Sequence, residues 1–283
     1  MEINTLCVIG AGTMGTGIAQ VAAQAGIRVH VLETFEEAIP RSQKRLEKSL
    51  QGGIEREKIT AEQAEVVKSL ITWESTYDSL SEADWVIEAV FEDVAVKQQV
   101  WQEIAARVSE QTPVASNTST MPIKKLAGFY GRPGYFIGMH FFNPPPAMKL
   151  VEVIPSEDTL PEITQAAVAL CERVGKTPLI APDIPGFMVN RAFGALVAAA
   201  VEVWALGGEP EAIDQALELG LGHKMGPLRT SDLVGLDIIK AVHESLTELT
   251  GHDRFVLHPK FYELIAAGKL GVKSGEGFYK YDT

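Results

Sequence analysis

The chain has 283 residues, 46% of them hydrophobic and 22% charged. This is long enough for two domains or one large one, and the composition excludes a disordered chain. The formal net charge of −12 disfavours non-specific binding to nucleic acid or anionic membrane, while leaving room for a local basic site that takes a phosphorylated small molecule.

The N-terminal Met-Glu-Ile-Asn-Thr carries an acid where a signal peptide carries bases, so a cytoplasmic location is expected. Residues 6–9 read as a strand. Residues 13–25 repeat their apolar positions at helical spacing and stop at Gly26. A second strand is expected at 28–32. It is followed by a charged helical stretch over 36–50, a Gly52-Gly53 pair and a further helix over 61–67. Further strands are expected at 70–73, 85–88, 114–116, 135–139, 150–154 and 177–180, with helical stretches between most of them. Such alternation implies an α/β fold: a Rossmann-type doubly wound, mostly parallel sheet with helices on both faces. The shorter connections after Pro133 admit some antiparallel pairing.

The pattern changes after Ala181-Pro-Asp-Ile-Pro-Gly186, beyond which helical patterns dominate. A boundary is therefore expected near residue 184. Residues 1–183 would form a first domain with a helical extension at about 36–69, and residues 184–283 a helical second domain. The longest apolar stretch, residues 192–201, is too short to cross a bilayer. Cys7 and Cys171 read as buried small hydrophobes, and no His/Cys spacing marks a metal site.

Gly10-Ala11-Gly12-Thr13-Met14-Gly15 directly follows a strand and opens a helix. Glycines there permit a tight turn, close approach to a pyrophosphate and close helix packing, and the helix N-terminus presents free N–H groups to the anion. Glu33, eighteen residues on, ends the second strand. It is placed to accept hydrogen bonds from the adenosine ribose and would repel the 2′-phosphate of NADP, so NAD is the expected cofactor. The plain alternative, a solvated acid opening a loop, explains less of the pattern.

Glu152 lies in Leu150-Val-Glu-Val-Ile154, alternating onto one face with apolar neighbours. An unpaired charge there is costly, and His140, in Gly138-Met-His-Phe-Phe-Asn-Pro144, is the partner at hand. A neutral imidazole can take an alcohol proton near neutral pH, and a carboxylate can orient it and stabilise the imidazolium. His30, His223, His243, His252 and His258 are read as structural. Asn190 opens a helix after Pro185-Gly186, where its amide can reach a substrate oxygen.

Taken together, Ser116-Asn-Thr-Ser119, Met139-His-Phe-Phe-Asn-Pro144, Met148-Lys-Leu-Val-Glu-Val-Ile154 and Pro185-Gly-Phe-Met-Val-Asn-Arg191 resemble the 3-hydroxyacyl-CoA dehydrogenase family. So do Met225-Gly-Pro-Leu, Asp232-Leu-Val-Gly-Leu-Asp237 and Lys273-Ser-Gly-Glu-Gly-Phe-Tyr-Lys-Tyr281. The compact length resembles the stand-alone short-chain, 3-hydroxybutyryl-CoA type. The resemblance implies that His140 is the base, Glu152 its partner, and Ser119 and Asn190 the residues that hold the substrate. It adds Glu92, Lys97, Ser119, Asn143 and Lys273 to the glycine turn and Glu33 as cofactor contacts. It also adds Ser49, Arg56 and Ser119 as contacts to an acyl-CoA substrate, and a homodimer formed through the C-terminal domain. Without the resemblance, Glu92 reads as a surface acid and Lys97 as a solvated helical lysine. The stretch 48–58 departs from the family in being less basic. Two other readings stay open at this level: a dehydrogenase of a free hydroxy acid, favoured by that weakly basic stretch, and a non-catalytic NAD-binding protein.

Overall fold

The computed structural model describes residues 1–282. The chain divides into two compact units, Met1–Asp183 and a second that begins at Ile184. In the first, β1 (Thr5–Ile9), β2 (Arg28–Leu32), β3 (Ile71–Glu74), β4 (Trp85–Glu88), β5 (Val114–Ser116), β6 (Phe136–Phe141), β7 (Leu150–Ile154) and β8 (Thr177–Ile180) form one sheet in the order 3-2-1-4-5-6-7-8. β1 to β6 all run parallel; β7 is antiparallel to β6 and parallel to β8. The order reverses between β1 and β4, and a crevice outside the carboxyl ends of the strands at such a point is where open α/β sheets bind ligands.

Burial follows from this topology. β1, β4, β5 and β6 are buried along their whole length, as strands covered on both faces must be, so they read as apolar runs without alternation. One face packs Leu6, Val8, Ile87, Ile137, Met139, Val151 and Val153 into a core with α1 (Thr13–Gln24) and the later α6 (Pro161–Arg173). On the other face Phe136 meets Trp101 of α4 (Val94–Arg107) and Tyr130 of α5 (Ile123–Tyr130).

Two expectations are corrected here. The helix expected to stop at residue 50 instead runs on through Gly52 and Gly53 as α2 (Ala38–Glu55). Leu46 and Leu50 join the core with Ala64 and Val67 of α3 (Ala61–Ser69), and Ile54 and Ile59 pack against it; this burial outweighs the helix cost of about 1 kcal/mol per glycine. The strand expected at 135–139 extends to Phe141, because its pairing with β7 continues to the Phe141–Val151 register. His140 is thereby a strand residue with a fixed facing.

The second unit is helical: α7 (Val189–Ala205), α8 (Pro210–Leu221), α9 (Pro227–Val234), α10 (Leu236–Thr250) and α11 (Pro259–Ala266). Val197, Ala200, Val201, Ile213, Leu228, Leu236, Ile239 and Phe261 form its core. The middle of α7 is thus internal packing. The exposed apolar side chains lie elsewhere: Val203 and Leu206 at its end, Leu219 and Leu221 on α8, Leu233 and Val234 on α9, and Ile238 on α10. Two buried carboxylates brace the unit. Asp214 accepts from the Leu228 and Arg229 amides at the start of α9, and Asp232 accepts from the Phe278 and Tyr279 amides and the Tyr281 hydroxyl.

Candidate active site

The glycine turn lies at the carboxyl end of β1. Gly10 has φ +99°, a conformation that side chains disfavour. A Cβ on Gly15 would stand 1.9 Å from the Gly10 carbonyl, whereas one at Gly12 would meet nothing within 4 Å. The turn is therefore tight against the protein on one side and open over the helix start on the other. Gly12 is the N-cap of α1 and supplies no side-chain cap, so the first-turn amides of this helix present a positive, donor-rich end. A pyrophosphate fits this cradle. Glu33, just past β2, accepts from the Ala11 amide and the Phe35 amide, each at 3.0 Å. Its carboxylate is held at the turn with lone pairs to spare for ribose hydroxyls. The Ala11 carbonyl in turn accepts from Ser42 and Thr16, which ties α2 to the turn. No sequence signal pointed to Ser42.

A second group sits at the ends of β4 and β5. Glu88 is fully buried and accepts from Lys97 Nζ at 2.6 Å, Ser116 Oγ at 2.7 Å and the Val90 amide at 2.8 Å. Lys97 is 1% exposed and lies 3.3 Å from Glu92 as well. This corrects the reading of Lys97 as a solvated helical lysine: burial of both carboxylate and ammonium is sustained by their mutual pairing together with the further hydrogen bonds to Glu88. Glu92 accepts from the Thr118 hydroxyl and, at 3.0 Å, from the Ser119 amide. Glu88 was missed by the sequence reading, although it carries a signal close to the one used for Glu152: an acid within an apolar strand.

The third group spans β6 and β7. His140 and Glu152 are directly opposed Cα partners in the antiparallel ladder, so their side chains leave the same face. His140 Nδ1 lies 2.8 Å from Glu152 Oε2, with the imidazole 7% and the carboxylate 0% exposed. A carboxylate acceptor makes Nδ1 the donor and directs the ring's lone pair to Nε2. The Phe142 ring stands 4.5 Å from the imidazole, centroid to centroid. Asn117 accepts from the Phe141 amide and so fixes the strand next to His140. Asn143 follows β6 in a segment pinned by Lys176, whose ammonium donates to the Pro145 and Met148 carbonyls.

These three groups, on β1, β4–β5 and β6–β7, bring a dinucleotide cradle, the Ser119 loop and an imidazole–carboxylate pair onto one unit. Comparison with known proteins gives this arrangement its family. Residues 5–184 match the model of the 3-hydroxyacyl-CoA dehydrogenase NAD binding domain. Residues 186–281 match that of the 3-hydroxyacyl-CoA dehydrogenase C-terminal domain. The chain belongs to the 3-hydroxyacyl-CoA dehydrogenase family. It is 42% identical to a probable 3-hydroxybutyryl-CoA dehydrogenase of Deinococcus radiodurans, over 97% of this chain and 99% of that one. With a probable 3-hydroxybutyryl-CoA dehydrogenase of Bacillus subtilis the identity is 40%, over 100% and 99%. The crystal structure of the (S)-3-hydroxybutyryl-CoA dehydrogenase of Ralstonia eutropha superposes with a TM-score of 0.94 at 37% identity, covering both chains fully.

The protein is thus an NAD-dependent oxidoreductase of this family, and the open cradle at Gly12 suits that cofactor. The remaining expected site residues of the dehydrogenase lie on other elements. Ser49 and Gly52 lie on one face of α2 with Arg56, which ends the helix. The Arg56 guanidinium folds back over Gly52, 3.0 Å from where a Cβ would stand. Asn190 is in the first turn of α7, in the second unit. Lys273, also in the second unit, has its ammonium paired with Asp237. No helix among the described residues is long and apolar enough to cross a membrane, and none of their acidic, His and Cys side chains group as a metal site.

Proposed function

We propose that this dehydrogenase interconverts a short-chain (S)-3-hydroxyacyl-CoA, 3-hydroxybutyryl-CoA in the first instance, and the 3-oxoacyl-CoA. The observation that carries the reading is the buried His140–Glu152 pair, on a chain whose full-length relatives bear the 3-hydroxybutyryl-CoA dehydrogenase name. When bound at the glycine turn, NAD would supply the hydride acceptor for C3. His140 Nε2 takes the C3-hydroxyl proton, and returns it in the reductive direction. Glu152 holds Nδ1–H and offsets the charge of the imidazolium, while its own burial keeps water from screening the pair. Ser119 and Asn190 hold the substrate by hydrogen bonds. The first-turn amides from Gly12 to Gly15 take the pyrophosphate, Glu33 takes the adenosine ribose, and Glu92, Ser119, Asn143 and Lys273 complete the cofactor contacts. Lys97, being buried, serves the cofactor through Glu92 rather than by direct contact.

Ser49 and Arg56 are assigned to the CoA moiety, with Arg56 swinging away from Gly52 to meet a phosphate. The exposed leucines and valines of α7, α8 and α9 are assigned to a homodimer interface, since apolar side chains in that number are rarely left to solvent. Cys7 and Cys171 are free thiols, which suits a reducing compartment such as the cytoplasm. The deciding assay is NADH-dependent reduction of acetoacetyl-CoA, run beside free acetoacetate and with NADPH as control. Turnover confined to the thioester with NADH is expected; turnover of the free acid alone would remove the CoA assignment.

A further inference from the structure

Glu88 carries out no step in the chemistry above, yet it is among the most enclosed charges of the first unit. Its carboxylate is fully buried at the carboxyl end of β4 and receives three donors: Lys97 Nζ, Ser116 Oγ and the Val90 amide. Lys97 is drawn inward with it, although an ammonium on the first turn of α4 can ordinarily reach water. Two carboxylates, Glu88 and Glu92, then share one ammonium. The outer carboxylate cannot turn to solvent without leaving Lys97, and its other oxygen is engaged by the Thr118 hydroxyl and the Ser119 amide. A continuous run of charged contacts thus leads from the fully desolvated Glu88 to the backbone of Ser119. Ser116 closes the loop from the opposite side, since its hydroxyl bonds Glu88 and also accepts from the Thr118 amide at 3.3 Å.

We propose that Glu88 is a positioning residue for the reaction: by anchoring Lys97 and through it Glu92, it sets the placement of Ser119 against cofactor and substrate. The inference rests on the reading of Ser119 as a contact residue. Its rigidity comes from burial. Removal of one member of a buried ion pair is strongly unfavourable, so Lys97 stays fixed beside Glu88 and offers Glu92, and the loop that Glu92 holds, a set point of attachment.

The test is a cycle of Glu88→Gln, Ser119→Ala and the two together, with Glu88→Gln/Lys97→Met as a second route that removes both buried charges at once and so protects folding. Melting temperature reports stability, and kcat and KM for acetoacetyl-CoA and NADH report function. Glu88→Gln is expected to lower kcat by about 10- to 100-fold per folded molecule. The same loss is expected in Glu88→Gln/Lys97→Met, even where its melting temperature is restored. In the Ser119→Ala background, Glu88→Gln should slow the enzyme no further, because both changes act through one side chain. Wild-type kcat in Glu88→Gln/Lys97→Met overturns the proposal. So does a loss that multiplies in full on Ser119→Ala. An unimpaired Ser119→Ala would instead remove the Ser119 reading itself, an outcome distinct from an impaired Ser119→Ala beside a silent Glu88→Gln.

Discussion

At the scale of single residues, the proposed chemistry depends on where one proton sits. Glu152 keeps the His140 ring in the tautomer with Nε2 as acceptor, so the two side chains act as a unit. His140→Gln is expected to lower kcat by about 10²–10⁴-fold with little change in fold. Glu152→Gln should fall within the same range, and the double variant should be no worse than the poorer single, because residues that act together lose activity non-additively. Steady-state kinetics with acetoacetyl-CoA and NADH checks both; full kcat in His140→Gln would dismiss it as the base. The pairing of these two residues was legible because strand alternation set an acid among apolar neighbours and the protein offered one nearby histidine. Glu88 carried a similar mark and was passed over, since its partner comes from a helix nine residues on. No strand periodicity brings those two residues together.

At the scale of elements, the parallel sheet and its helices were legible from the spacing of apolar residues, while several boundaries were set by contacts far along the chain. α5 illustrates the point. Pro122 gives it no side-chain cap, and its first amides, of Ile123 and Lys124, are each bonded at 2.7 Å by Asp183, some sixty residues away. Asp183→Ala should destabilise the fold by about 1–2 kcal/mol, in the range of a lost cap. Asp183→Asn should recover part of it. Urea denaturation read by circular dichroism distinguishes the two. α2 makes the complementary case. Gly52 and Gly53 predict a break, yet the flanking Leu50 and Ile54 are held against the core by α3, and a hairpin of two helices needs that straight backbone.

At the scale of the whole molecule, pH and association are the accessible variables. His243 is 2% exposed, and burial pushes its pKa below the ordinary value of 6.5, against the weaker pull of its hydrogen bond to the Phe255 carbonyl. The unfolded chain therefore binds a proton as pH falls through 6.5 that the folded chain does not. Stability contributed by neutral His243 is present above that pH and declines below it, until the folded form also protonates. His243→Gln should flatten the fall in urea midpoint between about pH 7.5 and 5.5; an unchanged slope would assign the acid sensitivity to other groups. Sedimentation should give a dimer, and Leu219→Asp, which puts a charge on a side chain 87% exposed in the single chain, should shift it toward monomer. A monomeric wild-type protein would leave those leucines without a role.

The connection between β6 and β7 is unusual in being held at several points. The Pro145 ring packs 2.7 Å from where a Cβ on Gly17 would stand, and Lys176 grips the carbonyls of Pro145 and Met148. Slack added between the Lys176 hold at Met148 and the start of β7 at Leu150 would pass into the ladder beyond. A slip of one residue there turns Glu152 to the other face of the sheet and sets Val151 or Val153 opposite His140. The count of residues between the Met148 hold and β7 therefore sets the register in its own right, independent of which side chains occupy it. Anyone grafting, permuting or recombining this fold can exchange much of the surface, but must cut outside that segment to keep His140 opposite Glu152.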